Sequence, residues 1–341
     1  MTNKKSDKKL KRNRKSASQE KILIKSPTQD SPAIRVYQSN PKEDTENVKQ
    51  ILTEVELQRN IPAEQIANTI IHGDSLNVLK KISDNSIPLI ITSPPYWNTV
   101  DYGYEGQYGQ VEYTEYIRQL LLIWTECERI LIPNGKLAII SPLLPVPKSV
   151  ISNQHTRHLK NISADIEYSI LNHLNLLRYS LFIWQKQTTE KMFGSYPYPP
   201  NLYEQNTIEF INVFVKPGKP RKIPLYVKIQ SSLTPKIWMN LTRQIWTLYP
   251  KDVRRNTHPA PFPGSIPNRL IAMYSFAQAG EGNTVFNGDI ILDPFCGTGT
   301  TCIEAVKLAR RFIGIDLSQD FCIMAQKNIG NTKSTREVFL I

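Results

Sequence analysis

Two stretches of this 341-residue chain bring together residue types that do chemistry. The first is "ILDPFCGTGTT", Ile291–Thr301, where an apolar run opens into Gly297 and Gly299 and a helical pattern follows. Glycines at such a turn let a ligand approach the backbone closely. No Lys follows the second glycine, so this is not a phosphate-binding loop. Cys302 stands at the third glycine position of a dinucleotide fingerprint, so a ligand without a pyrophosphate fits better. Asp293 supplies an anion suited to an ammonium group. Asp316 ends the next apolar run 17 residues after Gly299, near the separation at which an acid meets a ribose diol. An ammonium group, a ribose and no phosphate describe S-adenosylmethionine.

The second stretch is "TSPPYW", Thr92–Trp97, at the end of "IPLII". Neither proline has an N–H, both fix φ, and Pro95 pushes Pro94 towards an extended backbone. The loop is stiff and presents acceptors rather than donors. Ser93 adds a hydroxyl acceptor and Tyr96 a flat aromatic face. Together they suit a planar heterocycle carrying an exocyclic NH2. Hydrogen bonds from that amine to the Pro94 carbonyl and Ser93 favour a pyramidal, nucleophilic nitrogen.

"TSPPYW" resembles the catalytic motif of amino-group DNA methyltransferases, Asp/Asn/Ser-Pro-Pro-Tyr/Phe/Trp. "DPFCGTGTT" resembles their cofactor motif, "HPAPFP" (His258–Pro263) the segment before it, and "HGD" (His72–Asp74) the motif preceding the catalytic strand. The resemblance extends over about residues 70–325. The catalytic motif comes first and the cofactor motif 200 residues later, as in the permuted β-class of restriction–modification systems. It implies a doubly wound α/β fold with a mostly parallel seven-stranded sheet, Rossmann-like and circularly permuted, with a reversed hairpin. It also implies S-adenosylmethionine as cofactor. Asp293, Phe295, Gly297, Gly299, Thr300 and Phe262 would line that site, with Asp316 on the ribose and Asp74 at the adenine end. Ser93, Pro94, Pro95 and Tyr96 would hold a base flipped out of the duplex, since the amine is out of reach in the stack. No metal is required, and His155 and His158 lack the cysteine pair of a zinc site.

In this family Ser at the first motif position usually accompanies cytosine N4, and Asp adenine N6. Ser93 therefore favours N4-methylcytosine, with adenine N6 as the alternative. An RNA or protein-glutamine methyltransferase usually resembles Asn-Pro-Pro-Tyr without the permuted order. A non-catalytic nucleic-acid-binding module would have lost Ser93, Tyr96 or the glycine loop. The expected partners are double-stranded DNA and, functionally, a restriction endonuclease cutting the same site. The chain is expected as a monomer or homodimer.

The surrounding pattern supplies elements to position these motifs. "TIIHGDSLNVLKKI" predicts strand, turn and helix; "IPLIITS" predicts a buried parallel strand. "YTEYIRQLLLIWTECERIL" predicts a long amphipathic helix stopped at Pro133-Asn134-Gly135, and "KLAII" a strand ended by Ser141-Pro142. From Pro145 to Asp165 the pattern fades. A strand is expected at Tyr179–Trp184, "TIEFINVFVKPGK" reads as a strand of a hairpin, and "GSYPYPPNLYEQ" as a loop. "NRLIAMYSFA" predicts a helix; "DIILDPFCGTGTTCIEAVKLA" and "RRFIGIDLS" complete strand, loop, helix and strand. "TENVKQILTEVELQRN" places Val48, Ile51, Leu52 and Val55 at helical spacing and is expected as a helix.

The formal net charge is +12, of which +7 lies in residues 1–15. Residues 1–42 are expected as a basic disordered arm and 43–217 as the catalytic half. Residues 218–257 are expected to recognise the target, and 258–341 form the cofactor half. Basic residues interleaved with Trp238 and Trp246 suit DNA contact in 218–257, with Arg221, Lys222, Arg243, Arg254 and Arg255 foremost. No apolar run reaches the ~18 residues needed to cross a bilayer. The N-terminus is charged and lacks an apolar run, so it is not expected to be a signal peptide. Four cysteines without framework spacing read as reduced thiols. The expected location is the prokaryotic cytoplasm, on nucleoid DNA.

Overall fold

The computed structural model describes residues 51–97, 108–146, 158–186, 191–192, 194–248 and 262–338. The arm at 1–42, Val48, His155, Arg254, Arg255 and His258–Pro261 lie outside them. The first strand is β1 (Ile51–Thr53), followed by β2 (Thr69–His72), α1 (Ser75–Leu79), β3 (Ile87–Thr92), α2 (Tyr113–Ile130) and β4 (Leu131–Pro145). Then come β5 (Leu159–Asn161), α3 (Ile162–His173), β6 (Leu177–Lys186) and β7 (Ile208–Val215). The next stretch holds α4 (Leu225–Gln230), α5 (Pro235–Leu241), β8 (Ile245–Leu248) and α6 (Ser265–Tyr274). The last third holds β9 (Ala279–Glu281), β10 (Thr284–Phe286), β11 (Ile290–Asp293), α7 (Thr300–Lys307), β12 (Arg311–Asp316) and α8 (Gln319–Gly330).

Nine strands run in the order β1-β2-β12-β11-β3-β4-β7-β6-β8, with β5 paired to β4 and β9–β10 forming a separate hairpin. The expected seven strands are the inner ones, β2 to β6 in that order. β7 is antiparallel to both neighbours, and the other six share one direction. The sheet is wider than expected because β1 and β8 extend its two edges in parallel.

Both faces are covered, which is why the central strands β3 and β11 are almost entirely apolar. In β3, Ile90 packs on one face, with α1, α2 and α3; Leu89 and Ile91 pack on the other, with α6, α7 and α8. In α2, Tyr116, Leu120, Ile123, Trp124, Cys127 and Ile130 form one buried stripe. The helix after β11 lies on one face and the helix after β3 on the other. The carboxyl ends of β11 and β3 therefore flank a topological switch point, where ligands bind in open α/β sheets.

Two expectations need correction. Residues 51–56 are not helical: Ile51–Thr53 pair with Ile70–His72, Glu54–Glu56 make a single 3-10 turn, and Val55 is 88% exposed. Sheet pairing outweighed local periodicity there. The helix before β4 ends at Ile130, short of Pro133, and β4 continues past Ser141-Pro142. Pro142 is tolerated opposite Glu209 near the end of the β4–β7 ladder. Of residues 218–257, expected as the recognition region, the described 218–248 join the core through β8. Trp246 is buried, stacked on Phe182 at 4.5 Å, with the Arg269 guanidinium 4.5 Å over its ring. Arg269 in turn donates to Asn240 Oδ1 at 2.8 Å and to the Asn240 carbonyl at 2.6 Å, joining α6 to α5.

Candidate active site

β11 and β3 are neighbours in register Ile291↔Leu89 and Leu292↔Ile90, so Asp293 and Thr92 end side by side. Thr92 Oγ1 donates to Asp293 Oδ1 at 2.8 Å, and the Phe295 N–H donates to the same oxygen at 3.1 Å. Thr301 Oγ1 donates to Oδ2 at 2.7 Å. Asp293 is only 1% exposed, and burial raises its pKa to about 6 against the pull of these donors. It was expected to meet an ammonium group. Its oxygens instead point into the protein and tie the catalytic strand to both ends of the glycine loop.

The glycine loop has Gly297 at φ 51° and Gly299 at φ 88°, the left-handed region that glycine enters without strain. Gly299 also packs tightly: a Cβ there would lie 3.1 Å from Ala325 Cβ on α8. Thr300 opens α7. At the end of β12, Asp316 accepts the Gly297 N–H through Oδ2 at 2.8 Å and the Ser318 N–H through Oδ1 at 2.9 Å. Burial raises its pKa, partly offset by these donors. Asp316 thus sits across the loop, with each oxygen keeping further acceptor capacity.

At the end of β2, Asp74 caps α1 by accepting the Asn77 N–H at 3.0 Å, and it accepts Tyr108 Oη at 2.8 Å. The Tyr108 ring stands edge-on to Phe295 with centroids 5.6 Å apart. Tyr108 therefore closes the side of the site between Asp74 and the glycine loop. The sequence signal for it was the tyrosine- and glycine-rich run "DYGYEGQYGQ". Phe262 is half-buried against the core on the α6–α7 face.

The catalytic motif follows β3 directly. Pro94 is buried, and Ser93, Pro95 and Tyr96 are half-buried. Tyr116 Oη donates to the Pro95 carbonyl at 2.9 Å, so α2 holds that acceptor. Trp97 is a wall: it is 4% exposed, edge-on to Tyr113 at 4.9 Å, and donates to the Val111 carbonyl at 2.7 Å. Tyr96 Oη donates to Glu209 Oε2 at 3.2 Å and lies 3.4 Å from Ser93 Oγ. Glu209, at the head of β7, is 4% exposed and ion-paired with Lys186. Sequence reasoning missed Glu209; the available signal was an acid opening an otherwise apolar strand.

Of the basic residues expected to contact DNA, the described ones, Arg221, Lys222 and Arg243, are not brought to this site. Arg221 pairs with buried Asp289, just before β11 begins, at the amino end of the sheet. Lys222 is exposed beside it, and Arg243 precedes β8 at that same end. A cavity of about 980 Å³ opens there, lined among others by Lys136, Tyr179, Arg221 and Tyr274. Among the described residues no cluster of His, Cys, Asp and Glu could hold a metal, and all four cysteines are free and buried.

A glycine loop, an acid at the end of each of the next two strands in the sheet and one reversed strand define an S-adenosylmethionine-dependent methyltransferase. Within that class, residues 87–327 match the N6_N4_Mtase family, described as DNA methylase, and the chain belongs to it. It is 30% identical over 298 residues to the type II methyltransferase M.MjaI of Methanocaldococcus jannaschii, covering 76% of this chain and 90% of that protein. It is 26% identical to the DNA adenine methyltransferase YhdJ of Escherichia coli, covering 77% and 83%. The structure of TTHA0409 from Thermus thermophilus, complexed with S-adenosyl-L-methionine, superposes with TM-score 0.61 at 29% identity, covering 76% of this chain and 92% of that one. Among the described residues no helix is long and apolar enough to cross a membrane.

Proposed function

We propose that this enzyme methylates the N4 amine of cytosine at a specific site in double-stranded DNA, protecting that site from a cognate restriction endonuclease in the cytoplasm. The observation that carries the choice of base is Ser93, a hydroxyl rather than a carboxylate at the first position of the Pro-Pro-Tyr motif. S-adenosylmethionine, when bound, supplies an electrophilic methyl group. The donor set suits it: Asp316 for the ribose hydroxyls, Asp74 and Tyr108 towards the adenine end, and Phe295, Gly297, Gly299, Thr300 and Phe262 as lining. Asp293 acts one step back, holding the loop that these residues form.

The target cytosine leaves the duplex to reach the site. Tyr96 stacks on it, worth on the order of 1–3 kcal/mol, which offsets part of the extrusion. Ser93 Oγ and the Pro94 carbonyl accept the two N–H bonds of the amine. That draws the delocalised lone pair back onto nitrogen, an arrangement more favourable in the transition state than in the planar ground state. For DNA contact the reading keeps Arg254 and Arg255; Arg221 already has its carboxylate.

Likeness to YhdJ, named an adenine enzyme, favours adenine N6 as the second reading. Plasmid DNA incubated with the enzyme and labelled cofactor, digested to nucleosides and weighed by mass spectrometry, separates them. N4-methylcytosine is expected. N6-methyladenine establishes the alternative, and DNA that takes up no label overturns both.

A further inference from the structure

A serine hydroxyl is a weaker acceptor than the carboxylate that other members of the motif place at this position. The charge missing from Ser93 stands two hydroxyls away. Glu209 enters from β7, opposite Pro142 of β4 and Trp184 of β6, so strands on both sides fix its backbone. Its Oε1 is ion-paired with Lys186, whose ammonium lies 5.3 Å over the Trp184 ring. Its Oε2 accepts from Tyr96 Oη at 3.2 Å, and Ser93 Oγ lies 3.4 Å beyond. A buried carboxylate is costly unless it is paired, and this one meets both a cation and a hydroxyl of the catalytic motif.

We propose that Glu209 is a positioning residue that turns Ser93 into an acceptor for the target amine through the Tyr96 hydroxyl. This rests on the reading above that Ser93 receives that amine. Each hydroxyl owns one proton. The carboxylate paired with Lys186 takes the Tyr96 proton. Tyr96 Oη then has only lone pairs to offer Ser93, which spends its proton on Tyr96. Among the described residues nothing donates to Ser93 Oγ, and its lone pairs are left for the base. Reversing either hydroxyl would leave Ser93 offering a donor to a donor. Successive hydrogen bonds polarise one another in a low-dielectric site, so part of the Glu209 charge is felt at Ser93. Both links are long for hydroxyl hydrogen bonds, as catalytic contacts are before the substrate tightens them. The same contact holds the Tyr96 ring in the plane where a base stacks.

Steady-state methyl transfer to plasmid DNA, with cofactor affinity measured separately, tests this on the full chain. E209Q keeps the shape and removes the charge; kcat is expected to fall about tenfold or more, the loss of a hydrogen bond to a charged group, while the cofactor Kd is unchanged. Y96F keeps the ring and breaks the chain, and is expected to lose kcat similarly. Because Glu209 acts only through Tyr96, the double variant E209Q/Y96F is expected to be no slower than Y96F. A purely structural role for Glu209 would make the two losses multiply. Multiplying losses, or an E209Q enzyme with full kcat, overturns the proposal. If E209Q does not fold, Y96F decides alone, and full kcat in that variant overturns it. The underlying reading fails differently: a wild-type chain that methylates no DNA, or an S93A enzyme with full kcat, removes the role of Ser93 itself.

Discussion

Asp293 has both carboxylate oxygens engaged by donors of the protein. It is buried beneath three donors, two from the glycine loop and one from the catalytic strand. Its folded pKa, about 6, lies above that of a free carboxyl near 4, so the folded chain binds the proton more tightly. That contribution to stability is fully present below pH ~4 and is withdrawn as pH rises through about 6. Urea unfolding of wild type and Asp293→Asn between pH 4 and 7 is expected to show this decline in the wild type and not in the variant. Asp316 differs in having acceptor capacity left over. Asp316→Ala is expected to weaken cofactor binding by about 1.5–3 kcal/mol, as for lost hydrogen bonds to a charged group. Isothermal titration checks this, and an unchanged Kd would remove Asp316 from the site. Tyr96→Ala is expected to abolish transfer while largely sparing cofactor affinity. Near-normal turnover in that variant would sink the stacking role.

At the scale of elements, the glycine loop depends on two conditions, a left-handed backbone and space against α8. Gly299→Ala violates both, since φ is 88° and the new Cβ would press on Ala325. A loss of about 1–2 kcal/mol from the left-handed conformation is expected, with further strain from the contact. Thermal melting and cofactor titration together measure it. These elements were legible because strand, loop and helix are contiguous in sequence and each carries its own period. The strand β1 was not legible. Its three residues sit on a helical pattern, and only the exposed edge of β2 makes them a strand. The stretch 218–248 was opaque for a related reason. Its elements are short, and Trp246 reveals itself as core only when Phe182 and Arg269 close around it. Trp238, equally aromatic in sequence, is 62% exposed.

At the scale of the molecule, the order of motifs in the chain implied the sheet order, because a parallel sheet fixes which strand ends meet. The strand-end acids and the Pro-Pro-Tyr motif were legible as local signatures. Glu209 and Tyr108 were not, since their roles exist only through side-chain contacts across 113 and 34 residues of chain. The total charge of +12 predicts salt-sensitive DNA binding, and +7 of it lies in residues 1–15. Deleting those residues is expected to weaken DNA affinity and flatten its salt dependence while leaving the methylated sequence unchanged. Sequencing modified positions in plasmid treated with each form checks this; a shifted site would mean that the arm reads bases.

The bond from Thr92 to Asp293 also has a consequence for the order of events during synthesis. β2 and β3 leave the ribosome early, yet the strands that fill the gap between them, β12 and β11, are made last. Until then β3 carries one open edge, and β1 and β2 cannot join the rest of the sheet. Closing that gap joins residues about 200 apart, the kind of non-local pairing that slows folding. A chain truncated before β11 lacks the strand that braces β3, and is expected to transfer no methyl group.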